Sequence, residues 1–106
     1  MGKYLGWIAE ENGRAAGSAG MLILDWPPHP LHPAAGERAY LLNVYVNPEF
    51  RRRGLAHQLL QCCMAEARAR HIRVVTLHSS EAGRSVYEKF GFHPTSEMMF
   101  VDAAES

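Results

Sequence analysis

The chain has 106 residues, the length of one domain with one hydrophobic core and too short for two. With 47% hydrophobic and 21% charged residues its composition is that of a folded globular protein, which excludes a disordered chain. Eleven Lys and Arg balance eleven Asp and Glu, so the whole molecule has no net field to recruit nucleic acid or an anionic membrane, and any anion site must be local.

Tyr4 to Glu10 reads as a strand, Asn12-Gly13 is a hairpin signal, and Ala15 to Leu24 can return as the partner strand. The small residues Gly17, Ala19 and Gly20 predict an irregularity or close packing in that second strand. Asp25 to Glu37 holds Pro27, Pro28, Pro30 and Pro33 and reads as an extended loop. Ala39 to Val46 is a further apolar strand, ended by Asn47-Pro48. Leu55, Leu59, Cys63 and Ala67 recur every fourth residue and predict an amphipathic helix, and Ile72 to His78 reads as a β-branched strand. Strand, helix, strand in that order makes the two strands a parallel pair joined by a right-handed crossover. A short helix is expected from about Glu81 to Phe90, ended by Gly91, and a last strand at Met98-Met99-Phe100-Val101. The fold class is α/β: a mixed sheet with an antiparallel start and a parallel pair in its second half.

Cys62 and Cys63 are neighbours that cannot easily meet disulfide geometry, so a reducing, cytoplasmic location is expected. The start Met1-Gly2-Lys3-Tyr4 lacks a basic segment followed by an apolar run, and no stretch approaches the roughly 18 apolar residues of a membrane span. His29 and His32 share one proline-held loop without a partner pair at zinc-site spacing, so no metal is expected. Trp7 and Trp26 could line a pocket or simply pack.

The chemistry lies in Asn47-Pro48-Glu49-Phe50-Arg51-Arg52-Arg53-Gly54-Leu55-Ala56, between a strand and a helix. A helix start offers unpaired N–H groups and a positive dipole end, which bind phosphate. Gly54 and Ala56 leave room for a bulky anion, and arginines bring forked donors. Neither a Walker loop nor a dinucleotide Gly-x-Gly-x-x-Gly is present. An arginine run before a helix is also compatible with a solvated turn.

Val46 to Ala56, followed by Leu59-Leu60, resembles the acetyl-CoA signature Arg/Gln-x-x-Gly-x-Gly/Ala of the GNAT N-acetyltransferase superfamily. Tyr87-Glu88-Lys89-Phe90-Gly91-Phe92 is similar to that family's Tyr-Glu-x-x-Gly-Phe segment, and the resemblance runs from about Tyr4 to Val101. It implies a single GNAT domain over 1–106 whose two parallel strands splay apart to admit the cofactor. Backbone groups of Val44, Tyr45 and Val46 would pair with the pantetheine arm as an added strand does. Backbone N–H groups of Arg51, Arg52, Arg53, Gly54, Leu55 and Ala56 would hold the pyrophosphate, with Ser79 and Ser85 as secondary contacts. Tyr87 would protonate the departing thiolate. Tyr40 stands where a basic glutamate is expected; Glu37, His78 and a water relay are unranked substitutes, so no base is assigned.

The resemblance implies acetyl transfer from acetyl-CoA to a primary amine by direct attack, on a small-molecule or protein acceptor. The alternative is a non-catalytic acyl-CoA-binding module. The family's usual first strand and two helices have no counterpart before Tyr4, which leaves a sheet face bare and raises the expectation of a homodimer.

Overall fold

The computed structural model describes residues 2–27, 36–95, 97, 98, 100 and 101. Strands β1 (Lys3–Glu11) and β2 (Arg14–Asp25) form an antiparallel hairpin. Its turn places both Asn12 (φ 54°) and Gly13 (φ 79°) in the left-handed region, the geometry whose twist matches two right-twisted strands. Strand β3 (Glu37–Val46) runs antiparallel to β2. A 3-10 turn at Pro48–Phe50 leads to α1 (Leu55–Ala69), and the chain returns as β4 (Val74–Leu77), parallel to β3. Helix α2 (Arg84–Phe90) follows, and the sheet order is β1-β2-β3-β4.

Helix α1 lies on one face of the sheet. Met21 and Ile23 of β2, Ala39 and Leu41 of β3, and Leu59, Leu60, Cys63 and Ala67 of α1 are buried together. Burial of each large apolar side chain contributes about 1.5–3 kcal/mol. The helix ends where His71 turns left-handed (φ 60°) and the Ile72 N–H donates to the Ala67 carbonyl at 2.9 Å. Ile72 and Ala67 are both core residues, so this end also carries the apolar contact that usually accompanies such a cap. The opposite sheet face carries Tyr4 and Ile8, both exposed.

Expectations change at three elements. Strand β4 is shorter than Ile72 to His78, because the Ile72 N–H caps α1 at the Ala67 carbonyl instead of joining the sheet. Helix α2 starts at Arg84 rather than Glu81, because residues 81–83 form a turn in which the Gly83 N–H donates to Ser80, at 3.1 Å to the hydroxyl. No strand forms at Met98, Phe100 or Val101, which are exposed. An apolar run becomes a strand only where an edge accepts it and a core buries it, and Glu97 is instead drawn to the Arg38 guanidinium. Arg38 also stacks on Trp26, 4.1 Å from the ring centroid. Pro28, His29, Pro30, His32, Pro33 and Met99 lie outside the described residues.

Leu60 has 0% exposure. Leu60→Ala should lower the unfolding free energy by about 3 kcal/mol in urea titration, and a loss near zero would contradict this core.

Candidate functional site

The site begins with an extra residue in β3. Ser18 pairs with Tyr45 and Gly20 with Leu42, so Asn43 and Val44 together oppose Ala19. Asn43 takes φ 55°, a left-handed conformation that asparagine tolerates better than most residues. The Ser18 hydroxyl donates to its carbonyl at 3.3 Å. Such a bulge bends its strand and sharpens the twist. It also resets alternation: Ala39 and Leu41 face α1 before it, Val44 and Val46 pack toward the same core after it, and Tyr45 is exposed. A Cβ on Gly17 would stand 2.7 Å from the Tyr45 carbonyl oxygen, so β2 needs glycine beside this stretch.

On the other side of β3, pairing with β4 ends at Leu41 and Leu77. Leu42 to Val46 continue with no described strand on this edge, the one opposite β2, so backbone groups there face a gap. Asn43 is not among the residues the sequence singles out. The available signal is a strand-averse polar residue inside Leu41-Leu42-Asn43-Val44.

The gap opens onto the loop before α1. Asn47 caps the 3-10 turn by accepting the Glu49 N–H at 3.2 Å. Phe50 is buried, with the guanidinium of Arg14 at 5.7 Å and that of Arg53 at 5.3 Å from its ring centroid. Arg14 pairs with Glu49, and Arg53 with Glu11, each at 2.8 Å. These exposed pairs add little stability singly, but they tie the loop to the β1–β2 hairpin. The Arg51 Nε donates to the Val46 carbonyl at 3.1 Å and its N–H to Pro48 at 3.4 Å. Two of the three arginines therefore spend their side chains on the protein, and among the described residues no side-chain partner meets Arg52.

Arg52 (φ 67°) and Gly54 (φ 74°) are left-handed, and the first helical bond runs from the Gln58 N–H to the Gly54 carbonyl at 3.1 Å. Among the described residues no protein acceptor meets the N–H groups from Arg52 to His57. They form a row of donors at the positive end of a 15-residue helix.

Helix α2 reaches α1 through an edge contact between the His57 and Phe90 rings, 5.0 Å apart. Tyr87 packs edge-on against Phe92 at 6.0 Å, and its carbonyl takes the N–H groups of Gly91 and Phe92 at 3.1 and 3.0 Å. Burial pushes the Tyr87 hydroxyl above its ordinary 10.0. Ser79 and Ser85 are exposed, while Ser80 makes the turn contact to Gly83. The Tyr40 hydroxyl meets His78 Nδ1 at 2.7 Å. Cys63 is buried and its thiol is pushed up to about 11, chiefly by desolvation and then by Cys62, which makes it a poor nucleophile. An open pocket of ≈ 320 Å³ lies on the β1 side of the loop, lined by Glu10, Glu11, Phe50, Arg53, Leu55 and Gln58 among others, and touches neither Tyr87 nor His78. The described residues hold no cluster of three metal-ligating side chains, and no helix is long and apolar enough to cross a membrane.

Since the fold holds the Tyr87 proton more tightly than the unfolded chain, its stabilising effect is complete below pH 10.0 and is lost as pH rises through the raised value. In ultraviolet titration, wild type minus Tyr87→Phe should leave one phenol ionising above pH 10.0. A difference curve centred at or below that value would contradict the burial.

A model of the Acetyltransferase (GNAT) family matches residues 2–92. A GCN5-related N-acetyltransferase from Ralstonia eutropha JMP134 is 40% identical with a TM-score of 0.89, over 94% of this chain and 65% of its own. A predicted acetyltransferase from Clostridium acetobutylicum, solved with acetyl-CoA, is 34% identical with a TM-score of 0.86, over 97% of this chain and 66% of its own. An acetyltransferase from Trypanosoma brucei is 27% identical with a TM-score of 0.74, over 93% of this chain and 68% of its own. The chain thus spans slightly under two thirds of the length of the first two. No curated protein matched. With the family model running from the first strand through α2, over the β3–β4 pair and the donor-rich loop alike, the chain belongs to the GNAT acetyltransferase family.

Proposed function

We propose that the chain is an N-acetyltransferase domain that moves the acetyl group of acetyl-CoA to a primary amine. The observation that carries this reading is the continuity of the β3 gap with the unsatisfied N–H groups before α1. An acyl-CoA has matching parts: an arm with two amides, which can add to Leu42–Val46 as a strand adds to a sheet edge, and a pyrophosphate, which suits a helix start. In this reading the backbone of Val44, Tyr45 and Val46 holds the arm. The N–H groups of Arg52, Arg53, Gly54, Leu55 and Ala56 hold the pyrophosphate. Arg51 acts mainly by bracing the loop against Val46, since both its N–H and its Nε have protein acceptors. Ser79 and Ser85 are exposed and serve as outer contacts.

The amine nitrogen attacks the thioester carbonyl carbon, the carbon–sulfur bond breaks, and the Tyr87 hydroxyl gives its proton to the sulfur. A raised hydroxyl pKa keeps Tyr87 protonated and able to donate at neutral pH. Small-molecule and protein amines are both compatible acceptors. A binding module without turnover is the second reading, since the open β3 edge and the donor row would serve it equally. We further propose a cytoplasmic protein whose second copy covers the face bearing Tyr4 and Ile8, an arrangement that a monodisperse monomer in sedimentation at micromolar concentration would contradict.

Calorimetric titration with acetyl-CoA should give micromolar binding. A Cβ on Gly54 meets nothing within 4 Å, so Gly54→Trp should fold with only a left-handed-backbone penalty of about 1–2 kcal/mol yet lose binding. Equal affinity in both would contradict the loop assignment. Tyr87→Phe should lower kcat while leaving acetyl-CoA affinity unchanged; unchanged turnover would remove Tyr87 from the chemistry.

A further inference from the structure

The sheet has two faces, and a different phenol lies on each. Tyr87, on α2, packs with the cluster on the α1 face. Strand alternation sends Tyr40 the other way, because its neighbours Ala39 and Leu41 are buried toward α1. Tyr40 pairs with Thr76, one position before the last rung of the ladder, and His78 is the first residue beyond β4. The Tyr40 hydroxyl lies 2.7 Å from His78 Nδ1, with the rings edge-on at 5.5 Å. Both residues therefore sit where the two strands part. Glu37 is at the far end of β3, paired with Asp25, and strand rise puts it roughly 16 Å from Leu42 where the gap begins.

An amine acceptor arrives largely as its ammonium and must lose a proton before its nitrogen can attack. We propose that Tyr40 and His78 are the relay that removes it, an inference that rests on the acetyltransferase reading above. The ammonium N–H bond breaks as its proton passes to the Tyr40 oxygen. In the same step the Tyr40 O–H bond breaks and its proton passes to His78 Nδ1, whose lone pair is free in the Nε2–H tautomer. No phenolate forms, because the phenol takes one proton and gives one. Imidazole suits the terminal position because its two ring nitrogens can take up one proton and give up another, and exposed His78 releases a proton to water and regains its Nε2–H tautomer by exchange with water. Of the two hydrogens left on nitrogen after attack, one stays in the amide and the other replaces the proton that Tyr87 gives to sulfur. The net change is ammonium plus thioester to amide plus thiol plus one proton. Tyr40, which meets the amine, is the catalytic member; His78 acts through it.

The test is thiol release from acetyl-CoA with benzylamine and spermidine as amine probes, alongside calorimetric titration with acetyl-CoA. Tyr40→Phe and His78→Gln should each lower kcat by about 100-fold, the lower end of what a positioned acid or base supplies. Acetyl-CoA affinity and amine KM should stay unchanged, which also reports intact folding. His78→Gln keeps a hydrogen-bonding partner for the Tyr40 hydroxyl but takes no proton, so a purely structural role predicts no loss of kcat. The double variant should be no slower than the slower single one. Wild-type turnover with kcat unchanged in either variant, or losses that multiply in the double variant, overturns the relay. Wild-type binding of acetyl-CoA without thiol release from either amine removes the catalytic reading itself, and the relay with it.

Discussion

The structure depends on one left-handed residue in the middle of a strand. With Asn43 taking φ 55°, β3 carries two residues opposite Ala19, just beyond its last parallel rung with β4. A regular strand would keep its alternation, and Val44 and Val46 would turn from the core face to the opposite one. With the bulge, both still pack toward α1, while beyond Leu41 the strand's other edge has no described strand beside it. One local conformation thus reconciles an intact core with an open sheet edge. Bulges are commonly found next to active sites for this reason.

The same strand delivers the chain to the loop before α1, and there the second constraint acts. Phe50 is buried between two guanidinium groups that are themselves tied to Glu49 and Glu11. Each contact is modest alone, about 0–1 kcal/mol for an exposed ion pair. Together they fix a segment whose backbone donors point away from the fold's own hydrogen bonds. A run of N–H groups from Arg52 to His57 that meets no acceptor among the described residues persists because helix starts leave such donors over and because solvent or an anion can satisfy them. The side chains of Arg51 and Arg53 help hold this loop, and its backbone presents the donors left over.

Much of this was legible in the residues. Asn12-Gly13 marks the hairpin, the four-residue repeat from Leu55 to Ala67 marks α1, and Gly91 marks the end of α2, because each reports a local backbone requirement. The signature around Gly54 and the Tyr87 segment identified the family on motif grounds. Less legible were features set by contacts distant in sequence. The bulge at Asn43 depends on its pairing with β2, the engagement of Arg53 depends on Glu11, and the meeting of Tyr40 with His78 depends on the parallel register of β3 and β4. The apolar run at Met98 reads as a strand by composition alone, yet Met98, Phe100 and Val101 are exposed and pair with no strand among the described residues. Local pattern specifies elements well; which side chains face each other is decided by register.

The most direct measurement of the central claim is the change in backbone amide resonances of the nitrogen-15-labelled chain on addition of coenzyme A. If the bulge opens β3 to receive the arm and the loop receives the pyrophosphate, the amides of Val44 to Val46 and of Arg52 to Ala56 shift together with a single saturation curve, while those of β1 stay still. Shifts confined to Glu10, Glu11 and Gln58, at the pocket on the other side of the loop, would contradict the account.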